Sequence, residues 1–228
     1  MKEKLVATIP AYNEESKIGE VVKGCFKYCK EVVVIDDGSK DATAKVAKKA
    51  GAKVFRNNPN MGVGYTVRRC YEEALKLNPD IIVNLDGDGQ HNPDEIPAMI
   101  APLLKENIDF VIGSRRLGKN AETSFIRNYG NKYFSFLISL MIKQRITDSQ
   151  SGYRAIKADK LKKLDLREKY TNRQEMIVLA RKKGIKMKEI PIFVEKRGHG
   201  KSFIGNFRKK LYFLTKVTFI IFKTRFLR

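Results

Sequence analysis

The sequence predicts an α/β fold, a single domain built around a mainly parallel central sheet. Short runs of β-branched and other apolar residues alternate along the chain with segments of helical periodicity. Runs that are apolar throughout are typical of strands buried on both faces, and their separation by helices indicates βαβ units. The length of 228 residues suits one domain with a full core, or one domain with an appendage.

Each element of the first half follows from a local pattern. Strands are expected where valine, isoleucine and leucine cluster, at residues 4–10, 31–37, 52–56, 80–86 and 109–114. Helices are expected between them, at residues 15–28, 41–50, 62–77 and 93–106. In such sheets ligands bind outside the carboxyl ends of the strands. The segments that follow the strands are therefore expected to form the site.

After residue 114 the alternation loosens. A polar loop is expected at 115–122, a helix too short to span a bilayer at 125–142, and a return to the sheet at 151–158. A helix at 171–183, a strand at 185–194 and a basic, glycine-bearing loop follow. A basic, aromatic-rich helix is expected over 203–228. We therefore expect one α/β domain over 1–202 and an appended amphipathic helix over 203–228.

The chain is strongly basic, with a formal net charge of +21, which implies a polyanionic partner. From Arg181 to Arg228 there are fifteen Lys or Arg residues against two acids. Nucleic acid, an acidic membrane surface and phosphorylated substrates are the candidates. A nucleic-acid-binding protein is the remote alternative, because no helix-turn-helix, zinc-finger or aromatic-strand RNA motif is present. We expect no nucleic acid partner.

The final helix combines apolar residues with a stripe of lysines at Lys209, Lys216 and Lys223. Such a helix suits the plane of an anionic membrane surface, and charges interrupt it too often for a spanning segment. Packing in the core or in an oligomer is the alternative. The expected location is peripheral, on the cytoplasmic face of the cell membrane, without a transmembrane helix.

The three cysteines, Cys25, Cys29 and Cys70, have no spacing typical of a disulfide framework. An odd number of this kind indicates reduced thiols and a cytosolic body. Cys25 and Cys29 are one helical turn apart, but no second ligand pair follows, so helix packing is favoured over a zinc site. The chain opens directly in a strand pattern, and no signal peptide is expected.

Two aspartates, Asp86 and Asp88, end a predicted strand in the segment LDGDGQHNP. Side chains two apart on a strand point the same way, so both carboxylates can converge with the amide oxygen of Gln90. These oxygens make a half-shell for a hard divalent cation, Mg²⁺ or Mn²⁺, whose open positions would take the oxygens of a diphosphate. An acidic turn that caps the helix near Pro93 is the alternative.

Two other strand ends carry polar motifs. In DDGS, Asp36 or Asp37 can accept hydrogen bonds from a base or a ribose. In IPAYNEE, Pro10 fixes the turn, Tyr12 can stack on a base and Glu14 can accept from it. In both segments the polar residues can instead begin the next helix, and for DDGS both interpretations can hold at once.

These segments carry a family resemblance. IPAYNEESKIGEVV, VVVIDDGSKDAT, NMGVGYTVRRCYEEA, LDGDGQHNPDEIP and VIGSR resemble the inverting family 2 glycosyltransferases, which have the GT-A fold. DSQSGYRAI, the helix at Arg127 and EMIVLARKKGIKMKEIPIFVEKRGHGKS are similar to the dolichyl-phosphate mannose synthase and polyprenyl-phosphate glycosyltransferase branch. The match runs in order from about Leu5 to Ser202.

The resemblance implies a role for each matching position. Around the nucleotide it places Pro10, Tyr12, Glu14 and Asp37, and on the metal Asp86, Asp88 and Gln90. At the acceptor phosphate it places Arg115 and Arg127, with Asn131 beside them. Near the diphosphate, in a closing loop, it places Arg197 and Lys201. The residues expected to carry the catalytic step are Asp88, Arg115 and Arg127.

The implied reaction is metal-dependent, inverting transfer of a hexose or N-acetylhexosamine from a GDP- or UDP-linked sugar to a polyprenyl or dolichyl phosphate. This acceptor is already an anion, so it can attack without a general base, provided that cations offset its repulsion from the donor. The alternative is a glycosyltransferase acting on a hydroxyl in polysaccharide, glycolipid or glycoprotein assembly. There Glu175 could act as base; here it is a sugar-hydroxyl ligand or an ordinary helix residue. A nucleotidyltransferase is disfavoured, because no glycine- and lysine-rich loop follows the first strand.

Overall fold

The computed structural model describes residues 3–118, 125–168, 172–194, 218–219 and 222–224, with only the backbone described for 125–130. The strands are β1 (Leu5–Ala11), β2 (Glu31–Asp36), β3 (Lys53–Arg56), β4 (Ile81–Asn84), β5 (Phe110–Ser114), β6 (Arg154–Lys157) and β7 (Met187–Pro191). The helices are α1 (Ile18–Phe26), α2 (Thr43–Lys49), α3 (Val63–Leu75), α4 (Ile96–Lys105), α5 (Phe125–Ile142), α6 (Ala158–Leu161) and α7 (Asn172–Lys182). A 3₁₀ turn, Pro93–Glu95, precedes α4.

The strands within the described residues form one seven-stranded sheet in the order β3-β2-β1-β4-β6-β5-β7. Only β6 runs antiparallel to its neighbours, β4 and β5. Every strand predicted from the apolar runs is present, and the segment expected to return to the sheet becomes β6. The predicted α/β class with a mainly parallel sheet is therefore confirmed.

Two apolar layers cover the sheet. Successive strand residues point to opposite faces, so Val6 packs in one layer while Ala7 packs in the other. α3, α5 and α7 cover the first face, and α1, α2 and α4 cover the second. Burial on both faces explains why the strands are apolar throughout instead of alternating.

The three cysteines lie within these layers and are buried with free thiols. Burial raises the pKa of each thiol, so all three stay protonated at neutral pH. This environment is the one expected of packing residues. Among the described residues, no helix combines the length and apolar character that crossing a bilayer requires.

The predicted domain boundary at residue 202 lies outside the described residues, as does most of the expected helix over 203–228. The described parts of that helix, residues 218–219 and 222–224, are helical. The division into a domain and an appended helix stays a prediction.

Candidate active site

Several segments meet at one edge of the sheet. The carboxyl ends of β1, β2 and β4 lie there because these strands are parallel. β6 runs the other way, so its first residue, Arg154, pairs with Asn84 at the end of β4 and with Ile112 in β5. The loops after β1, β2, β4 and β5 therefore lie at the same edge of the sheet as the segment that leads into β6.

The two aspartates lie just beyond the strand that was expected to carry them. β4 ends at Asn84, so Asp86 and Asp88 belong to the connection that follows. The backbone N–H of Leu85 still donates to the carbonyl of Thr8 at 3.1 Å, but the chain then leaves the ladder. Asp86 and Asp88 are therefore not strand residues, and the prediction that strand alternation points both carboxylates the same way was wrong.

The connection is folded by its own side chains. Asp88 Oδ1 accepts from the backbone N–H of Gln90 at 3.1 Å, and Gly89 between them has a φ of 76°, which favours glycine. His91 is buried, and its Nδ1 accepts from the backbone N–H of Asp86 at 3.2 Å. Burial lowers the pKa of His91 to about 4, so the ring is neutral at physiological pH.

A guanidinium that the sequence did not single out faces Asp86. Arg173, near the start of α7, donates from Nη2 to the two Asp86 carboxylate oxygens at 2.8 and 3.1 Å. Its Nη1 donates to the carbonyl of Gln150 at 3.0 Å. Burial raises the pKa of Asp86, but the charge and hydrogen bond of Arg173, with the charges of other nearby groups such as Arg115, together outweigh burial, and the pKa lies below its usual value.

The alternative predicted for this connection was an acidic turn that caps the helix near Pro93. Asn92 Oδ1 accepts from Asp94 N and caps the 3₁₀ turn, so Asp86 and Asp88 are not the cap.

The residues of this connection fit a hard divalent cation. Asp86 already holds a cationic group, and Asp88 and Gln90 add oxygens of the kind that Mg²⁺ and Mn²⁺ prefer. No cluster of three His, Cys, Asp or Glu side chains that could hold a metal occurs in the described part of the chain. The set would therefore need oxygens from a bound diphosphate.

Asp37, predicted at the nucleotide, anchors a neighbouring loop. Its buried carboxylate accepts from Asn57 Nδ2 at 2.8 Å and from the backbone N–H groups of Met61 and Gly62, both at 2.9 Å. These bonds hold the start of α3 against the end of β2. A carboxylate has further lone pairs, so a nucleotide contact is compatible with this anchoring role and stays a prediction.

The loops after β1 and β2 are joined by hydrogen bonds. The backbone N–H of Asn13 donates to Ser39 Oγ at 2.9 Å, and that of Glu14 donates to Thr43 Oγ1 at 2.8 Å. Asn13 has a φ of 55°, a left-handed conformation that asparagine tolerates. The two predicted nucleotide loops thus form one connected surface.

The predicted nucleotide-binding residues of β1 lie on this surface. Pro10 is half-buried within the strand, and Glu14 is half-buried in the loop that follows. The Tyr12 side chain is 44% exposed, which leaves its ring accessible for stacking on a base. Their contacts with a nucleotide stay predictions.

Arg115, predicted at the acceptor phosphate, is held in place by a buried carboxylate. Its Nε and Nη2 donate to Asp148 Oδ2 and Oδ1 at 2.6 and 2.8 Å, a paired geometry. Glu189 in turn accepts from the backbone N–H groups of Thr147 and Asp148 at 2.7 and 2.9 Å. Burial raises the pKa of Asp148, but Arg115 outweighs it, and the pKa lies below its usual value. The orientation of Arg115 is therefore set by two other segments.

The remaining predicted site residues lie partly beyond what the structure describes. Arg127 lies in α5, where only the backbone is described, and Asn131 is half-buried in the same helix. Arg197 and Lys201 lie outside the described residues. Their predicted contacts with phosphate groups stay predictions.

Glu175 is a buried helix residue. Its carboxylate accepts from the backbone N–H of Arg167 at 3.0 and 3.1 Å and from that of Glu168 at 3.0 Å. It anchors the segment before α7 to that helix. These contacts show a structural role for Glu175 in its helix, and a contact with a sugar hydroxyl stays a prediction.

Arg154 organises the segment that faces the aspartates. It is buried and donates to the carbonyls of Ser151, Arg173 and Ser149 at 3.0, 2.7 and 3.1 Å. No local pattern in the sequence identified Arg154, Arg173 or Asp148 individually. Their partners lie elsewhere in the chain or are backbone atoms, so only the motif DSQSGYRAI hinted that this segment belongs to the site.

Comparisons with known proteins agree with this arrangement. Residues 7–165 match the model of the family described as Glycosyl transferase family 2. An uncharacterized protein of Methanocaldococcus jannaschii is 40% identical over 84% of this chain and 81% of its own. A UDP-N-acetylglucosamine–dolichyl-phosphate N-acetylglucosaminyltransferase of Methanococcus voltae is 34% identical over 84% of this chain and 86% of its own.

A solved structure has the same fold. Glucosyl-3-phosphoglycerate synthase from Mycobacterium tuberculosis, crystallised with Mn²⁺, UDP and glucosyl-3-phosphoglycerate, superimposes with a TM-score of 0.76. The likeness covers 98% of this chain and 80% of that one, at 19% identity. At this identity the likeness establishes the fold, and it confirms the predicted GT-A architecture.

Proposed function

Since the chain belongs to glycosyltransferase family 2, we propose that it moves a hexose or N-acetylhexosamine from a nucleotide-diphosphate sugar to a polyprenyl phosphate. The observation that carries the proposal is the shared edge of the sheet. There the acidic connection of Asp86 and Asp88 faces the segment leading into β6, and Arg115 follows β5 with its guanidinium held by Asp148. The dolichyl-phosphate enzyme from Methanococcus voltae supports the same acceptor class.

The chemistry follows from charge. An oxygen of the acceptor phosphate attacks the anomeric carbon while the bond to the donor diphosphate breaks on the opposite face, so the configuration inverts. The acceptor is an anion and needs no base, but its repulsion from the donor must be offset. We assign that positive charge to Arg115 and to Arg127, the two arginines predicted at the acceptor phosphate. A Mg²⁺ or Mn²⁺ ion held by Asp86, Asp88 and Gln90 would neutralise the departing nucleoside diphosphate.

A hydroxyl acceptor would require a general base. Glu175, the candidate from the sequence, is buried and binds two backbone N–H groups of the segment before α7. This arrangement supports a phosphate acceptor, for which no base is needed.

A transfer assay tests the proposal. Purified full-length protein receives Mg²⁺ or Mn²⁺, a short polyprenyl phosphate in detergent, and a panel of labelled GDP- and UDP-sugars. We expect label from one donor to enter the organic phase and chelator to abolish the transfer. Metal-dependent donor hydrolysis without any lipid product would contradict the acceptor, and transfer that persists in chelator would contradict the metal.

Membrane association would follow from a lipid acceptor, and α5 offers a surface for it. Phe136 and Leu140 are 68% and 67% exposed on this helix. They border a groove of about 530 Å³ that is also lined by Arg116, Lys132, Lys143 and Arg145. Apolar side chains beside a basic rim suit an anionic bilayer surface. We place the enzyme peripherally on the cytoplasmic face of the cell membrane, where free thiols such as Cys25 persist.

Replacing both Phe136 and Leu140 with serine should weaken binding to vesicles of anionic and zwitterionic phospholipid by about tenfold or more, because two apolar side chains no longer enter the bilayer. Sedimentation with vesicles measures the effect. Leu104→Ser is the matched control, since Leu104 is 45% exposed on α4, which covers the other face of the sheet. Unchanged binding by the double variant would assign the contact to another part of the chain.

A further inference from the structure

Arg173 occupies both oxygens of the carboxylate that is proposed to bind the metal. Its Nη2 lies 2.8 and 3.1 Å from the Asp86 oxygens. A divalent cation on Asp86 would need one or both of the same oxygens. Two cations that share one carboxylate repel each other, and the repulsion is strong where water screens it poorly. The Asp86 and Arg173 side chains are each only 27% exposed.

Further hydrogen bonds hold Arg173 in this position. Its Nη1 donates to the Gln150 carbonyl, and its own carbonyl accepts from buried Arg154 at 2.7 Å. Both Gln150 and Arg154 lie on the segment that leads into and forms β6. Without donor, Arg173 is therefore held at its backbone and at its guanidinium, so it is not a surface side chain that happens to lie near Asp86.

Gly152 keeps the space that this pair needs. A Cβ atom at Gly152 would lie 2.6 and 2.7 Å from the two Asp86 oxygens and 2.7 Å from Arg173 Nη2. Non-bonded carbon atoms do not approach other heavy atoms that closely, so a larger residue would displace the Asp86 carboxylate, the Arg173 guanidinium or both. Because Gly152 has no side chain, the Arg173 guanidinium and the Asp86 carboxylate have room to meet at this point.

We propose that Arg173 is a positioning residue that competes with the divalent cation for Asp86, so that metal binds tightly only together with the nucleotide diphosphate. The inference rests on the proposed metal-dependent function. The diphosphate brings anionic oxygens, and a guanidinium binds such oxygens through paired hydrogen bonds. Arg173 can then exchange the Asp86 carboxylate for the diphosphate, and Asp86 becomes available to the cation. Binding of each partner favours the other by the same factor.

The arrangement has a consequence for the enzyme without donor. Metal affinity is kept low until the substrate that needs the metal is present. Arg173 then contributes its charge to the diphosphate side of the site. It adds a cation to those that the proposed mechanism already requires, and it does so only in the complex with donor.

Direct metal binding tests this inference. Free Mn²⁺ is measured by electron paramagnetic resonance during titration of the full-length protein, alone and with UDP or GDP, with the binding of Mn²⁺ to each nucleotide measured separately. We expect wild type to bind Mn²⁺ weakly alone and more tightly with nucleotide. Arg173→Gln should bind Mn²⁺ alone about tenfold more tightly, the usual size of a coupling between two ligands, with a correspondingly smaller gain from nucleotide. Arg173→Lys, which keeps a cation, should stay near wild type.

Two further variants separate the outcomes. Arg173→Met also removes the guanidinium and leaves Asp86 in place, and it should also raise the affinity for Mn²⁺ alone, so the test does not depend on the stability of Arg173→Gln. Arg181→Gln is the matched control, because Arg181 is an exposed arginine farther along the same helix. If Asp86→Asn loses Mn²⁺ binding while Arg173→Gln and Arg173→Met both match wild type, the competition is refuted. If Asp86→Asn binds Mn²⁺ as wild type does, the proposed metal site itself fails.

Discussion

Replacing Asp86 or Asp88 with asparagine should lower the rate of sugar transfer by about three orders of magnitude and leave the protein folded. Asparagine keeps the shape of the side chain but removes the charge that a divalent cation needs. Without that cation the nucleoside diphosphate leaves with its charge unneutralised. Initial rates with saturating donor and acceptor measure the loss, and circular dichroism confirms the fold.

The two variants report differently on the site. Asp86 is paired with Arg173, so its replacement also releases a guanidinium, whereas Asp88 accepts from the backbone of its own turn. A loss of activity in Asp88→Asn therefore depends less on Arg173. Asp94→Asn is the matched control, because Asp94 is a partly exposed aspartate on the same connection that pairs with Lys27. Full activity in both Asp86→Asn and Asp88→Asn would rule out a metal-dependent mechanism at this connection.

Replacing Arg115 with methionine should lower the free energy of unfolding by about 3 kcal/mol, and it should also abolish transfer. The Asp148 side chain is 1% exposed and would be left as a buried charge without its cation. Removing one partner of a buried ion pair typically costs about 3–5 kcal/mol. Chemical denaturation measures the first effect, and the transfer assay measures the second.

A double variant distinguishes the structural role of Arg115 from its predicted contact with the acceptor. Arg115→Met combined with Asp148→Asn removes both charges, so most of the lost stability should return. Transfer should not return, because the acceptor phosphate still lacks its cation. Recovery of stability and transfer together would mean that Arg115 serves the fold alone, and the acceptor contact would be excluded.

The sequence predicted the elements well because their signals are local. The run VVVI at residues 32–35 is apolar at every position, and it forms the buried centre of β2, an interior strand of the sheet. The strand-end motifs could be assigned to one edge because parallel topology fixes where they meet. The family resemblance, the GT-A fold and glycosyltransferase activity as a class are confirmed by the match over residues 7–165 and by the shared fold.

The partners of the site residues could not be predicted in the same way. Arg173 meets Asp86 across 87 positions of sequence, and Asp148 meets Arg115 across 33. No local pattern distinguishes an arginine with such a partner from an exposed arginine such as Arg145. The detailed geometry after β4 also depends on His91, whose ring accepts the Asp86 backbone N–H and turns the chain out of the sheet.

The position of β6 determines when the site can form during synthesis. The first 84 residues contain β1 to β4, which pair in the order β3-β2-β1-β4 through local βαβ connections. The outer edge of β4 then stays unpaired until residues 154–157 leave the ribosome and fold onto it. An open strand edge is a template for association with other chains. Nascent chains between these two lengths should therefore be the species that most needs chaperone protection, and they should carry no functional site.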